Sequence, residues 1–158
     1  MNKKPLPPCP GVYLEENTVS GTFFKDEVGK DITDKVLEVE IKGYDGYCTY
    51  SKDLKKVEVR INAVFDAVLG GAAKSRKVDF SYFIAVPSFY PAKEGKQVFN
   101  VSLDFPEGVY YLSHLDDEIK ITLPVPQDEK DKDLSIFLGL QLTENQLKYN
   151  REKLKEKD

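Results

Sequence analysis

Residues 57–66, VEVRINAVFD, put Val57, Val59, Ile61, Ala63 and Phe65 at alternate positions, with Glu58, Arg60, Asn62 and Asp66 among the residues that flank them. Successive side chains of a strand point to opposite faces, so this stretch is a β-strand with one face buried and one wet. The same period of two recurs on both sides. Upstream, Leu37, Val39 and Ile41 alternate with Glu38, Glu40 and Lys42. Downstream it returns in Val78, Phe80, Tyr82, Ile84 and Val86, in Phe99, Val101, Leu103 and Phe105, and in Ile119, Ile121, Leu123 and Val125. In the last strand Leu134, Ile136, Leu138, Leu140 and Leu142 line one face, with Ser135, Phe137, Gly139 and Gln141 on the other.

Breakers separate these runs: Gly43 and Gly46, Gly70-Gly71, Pro87 to Gly95, Pro106-Glu107-Gly108, Asp116-Asp117, and Pro124 to Asp133. No segment with the helical period intervenes, and connections this short favour antiparallel pairing. The expected fold is mainly β, an immunoglobulin-like antiparallel β-sandwich with a short C-terminal α-helix. Pro87 and Pro91 should end the Val78 strand, and Pro124 and Pro126 should place the end of the Ile119 strand at an edge or corner. The helix signal is Thr143-Glu-Asn-Gln146, the spacing of a capping box. Leu147 and Leu154 give it a narrow apolar side amid Lys148, Arg151, Glu152, Lys153 and Lys155, which predicts a solvated, fraying helix. Three segments follow: a Pro-rich arm over 1–10, the sandwich over 11–142 and the charged helix or tail over 143–158.

With 158 residues, 41% hydrophobic and 32% charged, the chain suits one folded domain. Its 23 basic and 27 acidic residues leave a net charge of -4, against a nucleic acid partner. No stretch approaches the length of a membrane-spanning helix, and Met1 to Pro10 is too polar for a signal peptide. A single His114 and two cysteines are too few ligands for a zinc site, and no metal or cofactor is expected.

Cys9 and Cys48 leave two readings open. Reduced, Cys48 is a small apolar residue in a turn-to-strand segment. Oxidised, the pair closes a loop of about 40 residues and pins the Pro-rich arm. Gly70-Gly71-Ala72-Ala73-Lys74-Ser75 departs from a phosphate loop, because Ala73 replaces the glycine before the lysine and a strand follows. It reads as a basic loop, in a stretch from Lys55 to Lys77 with six basic and two acidic residues. Asp104, Glu107, Asp116, Asp117 and Glu118 lack calcium-loop spacing and read as solvated turns. The aromatic set Phe80, Tyr82, Phe83, Phe89, Tyr90, Tyr110 and Tyr111 weighs more: with Phe80 and Tyr82 on the core face, Phe83 points outward and needs cover.

Cys9-Pro10, Gly46-Tyr-Cys48, Ala72-Ala-Lys-Ser-Arg-Lys77 leading into Phe80-Ser-Tyr-Phe83, and Gly139-Leu-Gln-Leu-Thr143 with Tyr149-Asn-Arg151 together resemble a group of small, uncharacterised alphaproteobacterial envelope lipoproteins. The likeness spans nearly the whole chain. It implies a periplasmic domain tethered to a membrane by a lipid anchor and favours a Cys9–Cys48 disulfide, but implies no activity. Signal peptide and lipidated cysteine are missing here, which the resemblance attributes to their removal; taken literally, the sequence is cytoplasmic.

The expected function is a non-enzymatic envelope module for binding or assembly, with envelope proteins as partners and Phe83, Phe89, Tyr90, Lys74, Arg76 and Lys77 as contact residues. The alternative is a small hydrolase or ligand carrier using His114 with Asp116 and Asp117, which requires a carboxylate within hydrogen-bond reach of His114 in a concave pocket.

Overall fold

In the computed structural model, residues 8–26, 31–92, 95–125 and 134–156 are described. The 57–66 alternation lies in β4, Lys56–Leu69, whose inward residues Val57, Val59, Ile61, Ala63, Phe65 and Ala67 are at most 3% exposed. Each large apolar side chain so buried contributes roughly 1.5–3 kcal/mol. Four other expected strands form as β5 (Lys77–Ala85), β6 (Lys96–Asp104), β8 (Ile119–Pro124) and β9 (Ile136–Leu140).

The strands make two sheets. One has four strands in the order β1-β9-β5-β6, where β1 is Val12–Leu14. The other has five: β2 (Ser20–Phe24), β3 (Lys35–Tyr50), β4, and at the far edge β7 (Tyr111–Leu115), with β8 also on β4. Their inner faces share one core. Phe65 of the five-stranded sheet meets Phe80 and Tyr82 of the other with ring centroids 5.0 and 5.1 Å apart, so this is a β-sandwich.

Several expectations are corrected. Gly43 and Gly46 do not break the chain: β3 runs 16 residues through both, with a bulge between Ile41 and Gly43. At Gly46 a Cβ would come within 2.7 Å of the Arg60 carbonyl oxygen, so glycine lets two backbones approach closely inside a ladder. Pairing is not wholly antiparallel, because β1 runs parallel to β9. More than a hundred residues separate these strands, so the long crossover that parallel pairing needs is present. β1, β2 and β7 carry too little alternation to be read from sequence.

β7 and β8 are one edge strand interrupted once. Leu115 lies opposite Val64 and Ile119 opposite Ile61, so Asp116, Asp117 and Glu118 face only Asn62 and Ala63. This one-residue bulge explains why Asp116-Asp117 looked like a turn. β8 ends at Pro124 on an edge and β5 ends before Pro87, both as expected. Residues 1–7 of the arm and Pro126 lie outside the described residues.

The capping box forms at α1, Glu144–Glu156: Thr143 N–H donates to Gln146 Oε1 at 2.9 Å and Gln146 N–H to Thr143 Oγ1 at 3.2 Å. The helix is docked instead of solvated. Tyr149 stands edge-on to Phe24 at 5.1 Å, and Asn150, 6% exposed, donates to the carbonyls of Asn17 and Ser20 at 3.0 and 2.7 Å. Charge dominates the helix, but two residues facing β2 hold it.

Candidate functional site

Phe83 sits on the outer face of the four-stranded sheet, as the alternation of β5 requires. Its register neighbours are Val98 on β6 and Gly139 on β9. Gly139 has no side chain, and a Cβ there would meet the Phe83 ring and the Thr18 hydroxyl, so the ring lies over the bare backbone. The Lys96 ammonium stands 4.9 Å from the Phe83 ring centroid, a cation–π contact. One step along, Ala85 pairs with Phe137, and Phe137 with Tyr13, whose ring is 5.7 Å away. Tyr13 and Val98 are each 52% exposed. An apolar strip thus crosses all four strands: Tyr13, Phe137, Phe83 with Ala85, and Val98. Toward the other end the same face turns polar, with Ser81 bonded to Asn100 and Ser102 to Asp79.

The other predicted contact residues divide. Phe89 is half-buried against the core, and Tyr90 is 72% exposed at the rim nearest Ala85. The basic residues lie at the opposite end of β5, roughly 26 Å away at about 3.3 Å per residue. Phe83 and the Lys74-Arg76-Lys77 loop are therefore not one patch. Arg76 is also engaged: its guanidinium donates to the carbonyls of Phe105, Pro106 and Val109 and stacks on Tyr110 at 4.9 Å. It staples the β6–β7 loop, while Lys74 and Lys77 are exposed.

Asp116 is the meeting point of a polar chain between the sheets. It continues the inward alternation of Leu112 and His114, and the extra residue of the bulge follows it at Asp117 and Glu118, which are both exposed. Asp116 Oδ2 accepts from the Tyr82 hydroxyl at 2.8 Å and Oδ1 lies 3.1 Å from His114 Nε2. Asp116 N–H donates to the Ala63 carbonyl, and Asn62 Nδ2 to the Asp116 carbonyl at 3.1 Å. Tyr82 is fully buried; burial first, then the Asp116 carboxylate, pushes its phenol far above the usual tyrosine range. His114 is on strand β7 and its side chain is 31% exposed. It has a carboxylate in reach, as the hydrolase alternative requires, while Asp117 is exposed on the bulge.

A groove of about 430 Å³ lies elsewhere, between α1 and the outer face of the five-stranded sheet. Glu38, Glu40, Asp66 and Tyr111 line it from the sheet and Lys153 from the helix. The Tyr111 hydroxyl bonds to Asp66, which holds the phenol above its ordinary range. Lys35 bonds Glu38 at 2.5 Å and Lys42 lies 3.8 Å from Glu40, so the carboxylates are partly balanced. Neither His114 nor Asp116 lines the groove. Sequence reading missed it because its walls come from five separate elements, and missed Tyr13, Phe137 and Val98 because cross-strand register alone joins them.

Cys9 and Cys48 form a disulfide with Cα atoms 5.7 Å apart. The Tyr50 hydroxyl donates to the Pro8 carbonyl at 2.8 Å, and burial raises that phenol's pKa. The arm is thus tied to β3 at two points. Among the described residues no helix is long and apolar enough to cross a membrane. Comparison with protein-family models, curated proteins and solved structures returned no match.

Proposed function

We propose that this protein is a non-enzymatic binding or assembly module of an oxidising, extracytoplasmic compartment, and that the outer face of its four-stranded sheet is the contact surface for a protein partner. The observation that carries this reading is the apolar strip from Tyr13 to Val98, which crosses every strand of a sheet face whose other half is polar. Aromatic residues are enriched at the centres of protein interfaces, and a polar surround excludes water from them. Phe83 and Tyr90 belong to this surface, Phe89 supports it from below, and Lys96 supplies a charged rim. Lys74 and Lys77 form a separate basic loop.

The Cys9–Cys48 disulfide supports an oxidising compartment. Periplasmic placement, an envelope partner and membrane tethering belong to the same proposal and rest on the family resemblance. The immunoglobulin-like form of the sandwich is part of the proposal too; it rests on the short alternating strands and is supported by the neighbours β4 with β7–β8 and β5 with β9.

The test is site-specific photocrosslinking in an export-competent host. A photoreactive residue at Tyr13 or Val98 should capture a protein partner that one at Asp79, on the polar half of the face, does not, and Phe83→Ala should abolish the adduct. Equal adducts from all three positions, or adducts indifferent to Phe83→Ala, would overturn the assignment. The His114–Asp116 contact supports the hydrolase alternative; ester hydrolysis lost in His114→Ala would favour it.

A further inference from the structure

A sheet edge presents unpaired main-chain donors and acceptors, and proteins blunt it with short strands, bulges, prolines, inward charges or a covering element. This sandwich has four edges. β1 is three residues long. β2 has a register irregularity between Phe23 and Phe24 and is packed by α1. The β7–β8 edge is broken by the bulge at Asp116 to Glu118 and ends in Pro124. Among the described residues β6 has none of these devices, and its charges, Lys96 and Asp104, stand only at its two ends. It is nine residues long, Lys96–Asp104, without proline or register shift against β5, and only Gln97, Phe99, Val101 and Leu103 face inward.

Its ladder shows which main-chain groups are available. The N–H of Phe105 donates to Arg76 and that of Val86 to Gly95, which fixes the phase of the bonded pairs. Bonded pairs recur at every second residue of an antiparallel ladder. The odd-numbered residues of β6 therefore direct N–H and C=O to β5. Lys96, Val98, Asn100, Ser102 and Asp104 direct theirs out of the sheet, and all five residues are exposed.

We propose that β6 is a self-association edge: two copies of the chain pair β6 with β6, antiparallel, about a two-fold axis at Asn100, and the two four-stranded sheets become one sheet of eight. In that register Asn100 faces Asn100, Val98 faces Ser102 and Lys96 faces Asp104. The terminal charges are opposite and meet twice, once on each side of the axis. A slip of the register separates both charge pairs, so the strand is self-complementary in charge as well as in hydrogen bonding. The inference rests on the edge and does not depend on the reading of the aromatic strip.

Sedimentation equilibrium of the full chain, with hydrogen exchange from micromolar to millimolar concentration, tests it. The wild type should form a dimer, and the amides of Val98, Asn100 and Ser102 should exchange more slowly as it forms. Asn100→Pro removes an outward N–H and none of those bonded to β5, so it should be monomeric with an unchanged circular dichroism spectrum. Lys96→Asp should weaken association about tenfold, and adding Asp104→Lys should restore it, which decides the matter even if the proline variant misfolds. Tyr13→Ala, at the opposite edge, should dimerise normally. A wild type monomeric throughout, or a dimer whose β6 amides and charge swap make no difference, would overturn the proposal.

Discussion

Replacing Tyr82 by phenylalanine removes a single hydroxyl and leaves the ring among the same neighbours, Phe65 at 5.1 Å and Phe99 at 5.4 Å. The lost hydrogen bond is the 2.8 Å link to Asp116 that joins the two sheets. Bonds to charged acceptors contribute about 1.5–3 kcal/mol. Asp116 keeps its His114 contact and its side chain is 17% exposed, so water can replace the phenol in part. We therefore expect Tyr82→Phe to lower the unfolding free energy at neutral pH by about 1.5 kcal/mol. The sign reverses in alkali. An unfolded tyrosine ionises near about pH 10, whereas burial and Asp116 hold folded Tyr82 far above that. Below about pH 10 both states keep the proton and the stabilisation is complete. Above it only the unfolded state releases the proton, and wild-type stability falls by about 1.4 kcal/mol per pH unit. The two proteins should be equally stable near about pH 11, and the variant the more stable beyond it. The chain has no tryptophan, so urea titrations are followed by far-ultraviolet circular dichroism under non-reducing conditions. The difference between the proteins cancels lysines and other tyrosines that titrate in both. Curves that stay parallel from neutral pH to about 11.5 would refute the buried Tyr82–Asp116 link.

Cys9→Ser with Cys48→Ser should cost about 4 kcal/mol in the chain-entropy model, read as a shift in the urea midpoint; a loss below about 1 kcal/mol would mean that other contacts hold the arm. Gly70→Ala forces a Cβ against the Lys35 carbonyl, whereas a Cβ at Gly71 meets nothing within 4 Å. The first should therefore be destabilised by about 1–3 kcal/mol and the second hardly at all, which paired thermal melts would show. Asn150→Ala strands the Asn17 and Ser20 carbonyls and should cost about 1–3 kcal/mol; hydrogen exchange should speed up through α1 ahead of the sheets, and unchanged α1 protection would contradict the docked helix.

Much of the architecture was legible because alternation is a local signal. The odd-numbered face of β4, the outward turn of Phe83 after Phe80 and Tyr82, and the Thr143–Gln146 cap all follow from period and spacing, and each lies where expected. Less legible were elements whose stability comes from elsewhere. β1 is three residues paired with β9, and β7 is an edge whose pattern breaks at the bulge. Gly43 and Gly46 signalled a turn, yet tertiary pairing with β4 draws β3 through them. The helix looked solvated because charge outnumbers Tyr149 and Asn150, the residues that dock it.

The chain's order of residues determined which faces are apolar, and therefore that the strands must turn one face into a shared core; that they do so as two stacked sheets was decided by their pairing. It also supplied the cysteines that tie the arm, a pairing that spacing alone left open. Tertiary structure decided everything that depends on register between distant strands. Lys74, Arg76 and Lys77 precede Phe83 by few residues, yet β5 carries them to the opposite end of the sandwich. Tyr13 and Phe137 are remote in sequence and adjacent in space. Asp116 reaches Tyr82 because packing of the two sheets brings the inward face of β7 against β5, and among the described residues β6 is left as an open edge because β5 is paired on its other side by β9. Periodicity is a property of one strand; a surface is a property of several, and is set by which strands lie side by side.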